Sequence, residues 1–237
     1  ILESLGLKAP QYGHFALILG MDGAPLSKRN GSRSIQELRE LGYLPGAIVN
    51  YMARLGHYYA DNDFMSLATL AEKFEDKHLS TSPSRYDEKQ LLFWQKHAVN
   101  ELDEQAFYAW ANVAVDQNKK NAFMALAKET AHFPEEVAIL SNIYFKEILP
   151  LNDESQAVIK NAGRAFFDAA ANALAKHGAN FTAIKDQLTS ELNVKGKQLF
   201  MPLRLALTGQ THGPDLGSVI DLVGVEASIE RLRGAPC

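Results

Sequence analysis

The chain has 237 residues, of which 46% are hydrophobic and 22% charged, and its formal net charge is −4. This length and composition are typical of a globular protein with a sizeable core, built as one large domain or two to three small ones. The sequence contains no run of about 18 apolar residues, which excludes a helical membrane span. The acidic net charge argues against a general polyanion-binding surface.

Cysteine and histidine usage narrows the chemistry further. The single cysteine, Cys237, is the last residue, so neither an internal disulfide nor a cysteine-rich zinc site is expected. The seven histidines show no metal-ligand spacing, and we expect no metal site. Because no disulfide is expected, we expect a reducing, cytoplasmic location. The chain starts at Ile1 without a leader pattern, and we expect it to be part of a longer protein.

The first predicted element is the apolar run HFALIL, residues 14–19, which ends at the turn sequence GMDG. This pattern predicts a short strand that leads into a loop over residues 20–33.

The loop is cationic. Three basic residues lie in it: Lys28, Arg29 and Arg33. No acidic residue occurs from Gly23 to Gln36. An amine, a guanidinium, the Ser27 hydroxyl and backbone N–H groups between glycines suit phosphate binding. Taken alone, these residues fit a solvated turn as well as a phosphate-binding loop.

The rest of the chain has a helical pattern. Ser34 precedes Glu37 by three residues, which predicts a capping box, and Pro45 begins a second helix that ends at Gly56. Further helices are predicted over 66–74, 87–102, 103–115, 120–131, 154–177, 181–192 and 226–235. Asp153 is the predicted N-cap of the helix that Gly178 ends. We therefore predict a mainly α fold of consecutive helical bundles.

Five aromatic residues fall at helical spacing and are predicted to be core rather than stacking platforms for bases: Trp94, Phe107, Trp110, Phe166 and Phe167.

A second acid-free stretch, residues 192–214, contains Lys195, Lys197 and Arg204. Clustered cations without carboxylates suit contacts with RNA phosphates. A solvated basic loop remains the alternative for the two lysines, and a cap or internal pairing remains the alternative for Arg204.

Motifs over nearly the whole chain resemble those of one family. PLSKRNGS (25–32) followed by ELGYLPGAIVNYMARLGH (40–57) resembles the KMSKS loop and downstream helices of class I glutamyl-tRNA synthetases. SRYDEKQLLFWQKHAV (84–99), GKQLFMPLRLALTGQTHGPDL (196–216) and LVGVEASIERL (222–232) resemble later family segments, in the same order. No HxGH motif occurs, so the chain resembles the C-terminal half of such an enzyme, with a short remnant of the catalytic domain at its N-terminus.

The resemblance implies roles for the N-terminal loop. In this family Lys28 contacts the phosphates of ATP and stabilises charge while glutamyl-adenylate forms, and Ser27 and Arg29 assist it. The implied cofactors are ATP and Mg²⁺, with L-glutamate and most ATP contacts supplied by the catalytic half.

The resemblance also implies an anticodon site. Arg204 and the loop with Gly213, Pro214 and Leu216 stand where family members approach the anticodon, and Lys195 and Lys197 are candidate phosphate contacts. Thr130 aligns near the position that separates glutamate from glutamine anticodons, and Lys128 is close enough to take its place. The implied partners are tRNA(Glu) and, for a non-discriminating enzyme, tRNA(Gln).

We thus expect three parts: the KMSKS loop and stem-contact unit (1–86) and two helical anticodon-binding units (87–149 and 150–237). The implied parent is a monomeric glutamate–tRNA ligase without membrane contact, and this chain alone should bind tRNA without catalysis. Two other readings stay open, a freestanding helical RNA-binding module and a structural helical protein without RNA affinity.

Overall fold

A computed structural model describes residues 1–10, 12–13, 15–27, 29, 33–146 and 150–237. The described residues form twelve α-helices and one two-stranded parallel sheet, which confirms the mainly α prediction. Contacts divide the chain into two units, Ile1–Glu101 and Leu102–Cys237. The division into three parts stays a prediction.

In its described residues, the first unit holds both strands and four α-helices. Its elements are β1 (Ile18–Leu19), α1 (Ile35–Glu40), α2 (Pro45–Gly56), α3 (Leu67–Glu72), β2 (Ser84–Arg85) and α4 (Glu88–Glu101). β1 pairs in parallel with β2, with Ile18 opposite Ser84. α2 packs along α4, and Ala47, Tyr51, Leu91 and Trp94 are buried in the first unit.

Local predictions in this unit hold where they rest on neighbouring residues. The capping box of α1 is present: the Glu37 N–H donates to Ser34 Oγ at 3.2 Å, and the Ser34 N–H donates to the Glu37 carboxylate at 2.6 Å. Pro45 is the first residue of α2. The strand predicted over 14–19 is shorter, since only Ile18–Leu19 is extended and paired, and residue 14 lies outside the described residues.

The second unit is entirely helical in its described part. Its elements are α5 (Glu104–Ala111), α6 (Lys120–Thr130), α7 (Pro134–Phe145), α8 (Asp153–His177), α9 (Phe181–Leu192), α10 (Lys197–Thr208), α11 (Leu216–Val223) and α12 (Val225–Arg233). α8 packs against α9, α10 and α12, around a core that includes Phe167, Leu174, Ile184, Leu203 and Leu232. α11 packs against α6, α7 and α12.

Two helix predictions in this unit are wrong in detail. The N-cap of α8 is Asn152 rather than Asp153, because Asn152 Oδ1 accepts the Ser155 N–H at 2.8 Å. The helix predicted as continuous over 154–177 is interrupted at Gly163, which has φ +74° and ψ 164°. Such a conformation is open to glycine and interrupts helical hydrogen bonding.

The predicted core aromatics are buried in four of five cases. Trp94, Phe107, Phe166 and Phe167 are at most 4% exposed, and Trp110 is half-buried. Among the described residues no helix is both long and apolar enough to cross a membrane.

Candidate functional sites

The turn at the start of the N-terminal loop is closed by hydrogen bonds. The Gly20 N–H donates to the Ala24 carbonyl at 2.8 Å, and the Leu26 N–H donates to the Ile18 carbonyl at 3.1 Å. Asp22 Oδ1 accepts the Ala24 N–H at 3.0 Å. The segment that carries the predicted site residues therefore begins beside a defined strand end.

The predicted phosphate-binding residues lie directly after this turn. Ser27 and Arg29 are exposed, and Lys28 lies outside the described residues. Arg33, the third cation of the loop, pairs with Glu88 of α4 at 3.2 Å. Sequence reasoning missed this pairing because Glu88 is distant along the chain. The described part of the loop thus presents one hydroxyl, one exposed guanidinium and one guanidinium beside a carboxylate.

An arginine that sequence reasoning missed organises the first unit. The Arg54 guanidinium lies over the Trp94 ring, 4.1 Å from its centroid. Its Nη1 donates to the Asn50 carbonyl at 3.0 Å, and its Nη2 donates to the Asp63 carbonyl at 2.7 Å. Burial lowers the Arg54 pKa. A cleft of about 440 Å³ beside it is lined by residues that include Tyr51 and Arg85.

In the second unit, Arg204 supports the loop that follows α10. Its Nη2 donates to the Pro214 carbonyl at 2.8 Å. Its Nη1 is buried and has no hydrogen-bond partner in the described part of the chain. A Cβ at Gly213, where φ is +151°, would lie 3.0 Å from this Nη1. The loop therefore passes closely over the guanidinium, and only a glycine fits there without strain.

Arg204 and Tyr144 of α7 interact electrostatically, and this interaction opposes the larger effect of burial on the pKa of each group. Burial lowers the pKa of Arg204. Burial raises the pKa of Tyr144 to about 12, and its hydroxyl has no partner among the described residues. Thus α7 and α10 each carry a buried polar group without a hydrogen-bond partner in the described part of the chain.

One cleft brings together residues that are far apart in sequence. It has a volume of about 270 Å³. One side is formed by the end of α6 and by α7: Thr130, Ala131, Glu136, Ile139 and Leu140. The other side is formed by Gln210, His212 and Gly213 of the loop after α10. We call it the α7–loop cleft. It joins Thr130 and Gly213, which were both predicted site residues.

The other predicted residues of this region have two settings. Pro214 and Leu216 are buried, so they contribute to the packing under the loop and not to its exposed surface. Lys195 and Lys197 are exposed, and Lys197 lines a second cleft of about 440 Å³ together with apolar Val158, Phe166 and Met201. The two lysine side chains are therefore accessible to a ligand, whereas the side chains of Pro214 and Leu216 are not.

Within the residues that the structure describes, no group of three or more histidine, cysteine or acidic side chains is placed to hold a metal ion.

Comparisons with known proteins agree with the sequence motifs. A family model described as the anticodon binding domain matches residues 66–236. A model described as tRNA synthetases class I (E and Q), catalytic domain, matches residues 1–93.

The similar proteins reported next are both named glutamate–tRNA ligases. The chain is 42% identical to glutamate–tRNA ligase 2 of Coxiella burnetii (strain RSA 331 / Henzerling II), over 99% of this chain and 51% of that relative. It is 43% identical to glutamate–tRNA ligase 2 of Nitrosococcus oceani, over 98% of this chain and 50% of that relative. The chain therefore spans about half the length of the curated relatives it matches.

Solved structures share the fold. A crystal structure of a glutamate tRNA ligase from Elizabethkingia meningosepticum, in complex with its amino acid, has a TM-score of 0.78 at 24% identity and covers 99% of this chain and 53% of that one. A glutamate-tRNA synthetase from Elizabethkingia anophelis has a TM-score of 0.75 at 25% identity, with 99% and 52% covered.

Proposed function

The chain belongs to the family of the class I tRNA synthetases (E and Q) with their anticodon binding domain, and we propose that it is the tRNA-binding part of a glutamate–tRNA ligase. Its RNA ligand is the anticodon loop of tRNA(Glu). The observation that carries this proposal is the α7–loop cleft, where Thr130 and Gly213 meet.

The cleft has the chemistry that single-stranded RNA recognition needs. RNA sequence is read on unstacked bases, through hydrogen bonds to base edges and contacts with ring faces. The walls offer the amide of Gln210, the imidazole of His212 and the Thr130 hydroxyl, next to apolar Ile139 and Leu140. Such a mixture of polar and apolar groups suits one splayed base.

Two exposed cations supply the sequence-independent part of this binding. Lys195 and Lys197 precede and begin α10, the helix that leads to the loop. Lysine contacts with phosphates position an RNA but carry no sequence information. In this proposal the lysines set affinity and its salt dependence, and the α7–loop cleft sets the preference for one anticodon.

In this proposal the chain contributes to catalysis through the positively charged side chains of the N-terminal loop. Exposed Ser27 and Arg29, beside a turn closed by hydrogen bonds, fit the phosphates of ATP. ATP with Mg²⁺ supplies the phosphate that the glutamate carboxylate attacks, and pyrophosphate leaves. Lys28 and Arg29 would hold negative charge in place during that step. In this proposal L-glutamate is bound by a full-length ligase, since the chain spans about half the length of the curated relatives it matches.

The proposal includes a monomeric, cytoplasmic enzyme. In this proposal the same cleft also determines whether tRNA(Gln) is a substrate, because Thr130 lines it. A non-discriminating enzyme would bind both anticodons equally.

Binding of the purified chain to fluorescent tRNA tests the proposal. Three otherwise identical tRNAs carry the glutamate anticodon, the glutamine anticodon or a scrambled one, and each is titrated over a salt series. We expect the glutamate anticodon to bind at least about tenfold more tightly than the scrambled one. Equal binding of all three at every salt concentration would overturn the anticodon role.

Two variants separate the roles of cation and cleft. Lys197→Ala should weaken binding of all three tRNAs alike and reduce the slope of log K against log salt by about one. His212→Ala should reduce the preference between anticodons and leave that slope unchanged. Lys160→Ala, an exposed lysine of α8 outside the acid-free stretch, is the matched control.

The catalytic part is tested separately. The chain by itself should give no ATP–pyrophosphate exchange. In a full-length ligase that contains this chain, Lys28→Ala should lower kcat for glutamate activation about 100-fold, as loss of one preorganised charge typically does. Unchanged kcat would remove Lys28 from the proposed site.

A further inference from the structure

Arg231 of α12 makes hydrogen bonds to the ends of two other helices. Its Nη1 donates to the Leu207 carbonyl at 2.7 Å, near the C-terminus of α10. Its Nη2 donates to the Ile143 carbonyl at 2.8 Å and to the Tyr144 carbonyl at 3.3 Å, near the C-terminus of α7. One half-buried guanidinium therefore joins α7 to α10.

This arrangement follows from the chemistry of helix ends. The last four carbonyls of a helix have no N–H partner within it, and the C-terminus carries the negative end of the helix dipole. A guanidinium is a rigid, planar group with five donors, so it can serve carbonyls on two sides at once. A lysine ammonium lacks this planar fork, and glutamine lacks the charge.

The two helices joined by Arg231 lead to the two walls of the α7–loop cleft. α7 carries Glu136, Ile139 and Leu140 on one wall, and α10 leads directly into the loop that carries Gln210 and His212 on the other. Arg231 does not line this cleft, and it contacts both helices at their C-terminal ends.

Few other polar contacts join these helix ends in the described part of the chain. Arg204 Nη1 on α10 and the Tyr144 hydroxyl on α7 are both buried, and neither has a hydrogen-bond partner among the described residues. The carbonyl bonds of Arg231 therefore link the ends of the two helices through a single side chain.

We propose that Arg231 is a positioning residue that fixes the spacing of the α7–loop cleft and thereby sets the selectivity among anticodons. The proposal rests on the anticodon-binding function proposed above. In this proposal Arg231 acts through α7 and α10, whose carbonyls accept from its two terminal nitrogens, and it does not line the α7–loop cleft.

The experiment repeats the tRNA titrations with Arg231→Gln and Arg231→Lys in the full chain. Arg164→Gln is the matched control, since Arg164 also donates to two carbonyls, those of Arg233 at 2.7 Å and Ala235 at 2.8 Å. These bonds tie α8 to the end of the chain and not to the cleft walls. Circular dichroism and thermal melts fix a temperature at which each variant is folded.

For Arg231→Gln we expect the ratio of glutamate-anticodon to scrambled-anticodon affinity to fall about fivefold or more, within the range known for residues that act through others. Arg231→Lys should recover part of that ratio. The salt slope should stay unchanged in both, because no phosphate contact is lost. Arg164→Gln should keep the wild-type ratio even if its melting temperature falls.

Three results would overturn the proposal. One is a lower melting temperature of Arg231→Gln with an unchanged affinity ratio, which is the behaviour of a merely structural residue. Another is a loss of salt slope, which would make Arg231 a phosphate contact. If Arg231→Gln does not fold, an unchanged ratio in Arg231→Lys overturns it. Absence of anticodon preference in the wild-type chain would instead refute the proposed function itself.

Discussion

Two cationic segments of this chain have similar composition and different settings. In the N-terminal loop, Arg29 is exposed and Arg33 meets Glu88 with both side chains about half exposed. In the acid-free stretch, Lys195 and Lys197 are exposed, but Arg204 is turned inward and donates to the Pro214 carbonyl. Absence of nearby acids therefore does not tell whether a cation binds a ligand or organises the chain.

The exposed and the half-buried cations differ in the groups that accept their hydrogen bonds. An exposed ammonium or guanidinium is satisfied by water and can exchange it for phosphate at little cost. A half-buried guanidinium needs fixed acceptors, and here these are backbone carbonyls: those of Asn50 and Asp63 for Arg54, and that of Pro214 for Arg204. The partly buried arginines hold the backbone, and the exposed cations are the ones that we propose to bind the ligand.

The largest effect is expected at Arg54. Arg54→Ala removes the contact with the Trp94 ring and leaves the Asp63 carbonyl without this donor. We expect a loss of about 3–4 kcal/mol of stability in the first unit. Trp94 and Trp110 are the two tryptophans of the chain, so urea unfolding in a Trp110→Phe background reports on the first unit through Trp94 fluorescence.

The control for this change is Arg85→Ala. Arg85 is exposed and lines the same cleft, and its removal should alter stability by no more than about 0.5 kcal/mol. Equal losses at the two arginines would mean that the partly buried guanidinium of Arg54 contributes no more to stability than the exposed one of Arg85.

Arg204→Ala is expected to cost about 3 kcal/mol in the second unit, because a half-buried side chain and a charged hydrogen bond are lost together. Lys197→Ala, seven residues earlier on the same helix, should change stability by no more than about 0.5 kcal/mol. Far-UV circular dichroism during urea unfolding measures both. If the lysine matters as much as the arginine, then Lys197 has a structural role that its exposure does not suggest.

The next effect appears only in alkali. Tyr144→Phe removes a buried hydroxyl without a partner in the described part of the chain, and stability at pH 7 should stay the same or rise slightly. Burial raises the Tyr144 pKa from 10.0 to about 12. Above pH 10 the unfolded chain loses this proton while the folded chain keeps it, so the parent chain becomes less stable as pH rises.

The phenylalanine variant lacks that loss, and its advantage should reach about 2 kcal/mol near pH 12. The other tyrosines ionise in both proteins, so their contribution cancels in the difference. Urea unfolding at pH 7, 10 and 11 is the measurement. An advantage that does not change with pH would contradict the raised pKa.

Gly213→Ala should cost about 1–2 kcal/mol, since φ at this position is +151° and the new Cβ would lie 3.0 Å from Arg204 Nη1. Gly56→Ala is the matched control: an added Cβ there meets open space in the described part of the chain, and stability should stay equal or increase. If Arg204→Ala relieves part of the Gly213→Ala cost, the loop and the guanidinium are in contact as described.

The sequence predicted what short-range chemistry determines. Ser34 and Glu37 are three residues apart, so their reciprocal hydrogen bonds follow from spacing alone, as does the start of α2 at Pro45. Gly163 and Asn152 show the limit of this reasoning. A glycine within a helical pattern is compatible with a continuous or an interrupted helix, and a helix boundary inferred from sequence can shift by one residue, here from Asp153 to Asn152.

The spatial arrangement of the candidate site could not be predicted from the sequence. Thr130 and Gly213 could be singled out by resemblance, but their convergence depends on how α6, α7 and α10 pack. No local pattern assigns Arg231 to the carbonyls of Leu207 and Ile143, because its partners are distant along the chain. A sequence records charge and helix periodicity, and it does not record which carbonyl a long side chain reaches.

The smallest effect concerns the pair of Arg33 and Glu88, and it bears on the N-terminal loop. Both side chains are about half exposed, so a double-mutant cycle with Arg33→Ala and Glu88→Ala should give a coupling of about 0.5 kcal/mol that decreases with added salt. A coupling this weak leaves Arg33 able to exchange the carboxylate for a phosphate. A coupling above about 2 kcal/mol that salt does not reduce would place Arg33 with the organising arginines, and the phosphate-facing charge of the loop would then rest on Lys28 and Arg29.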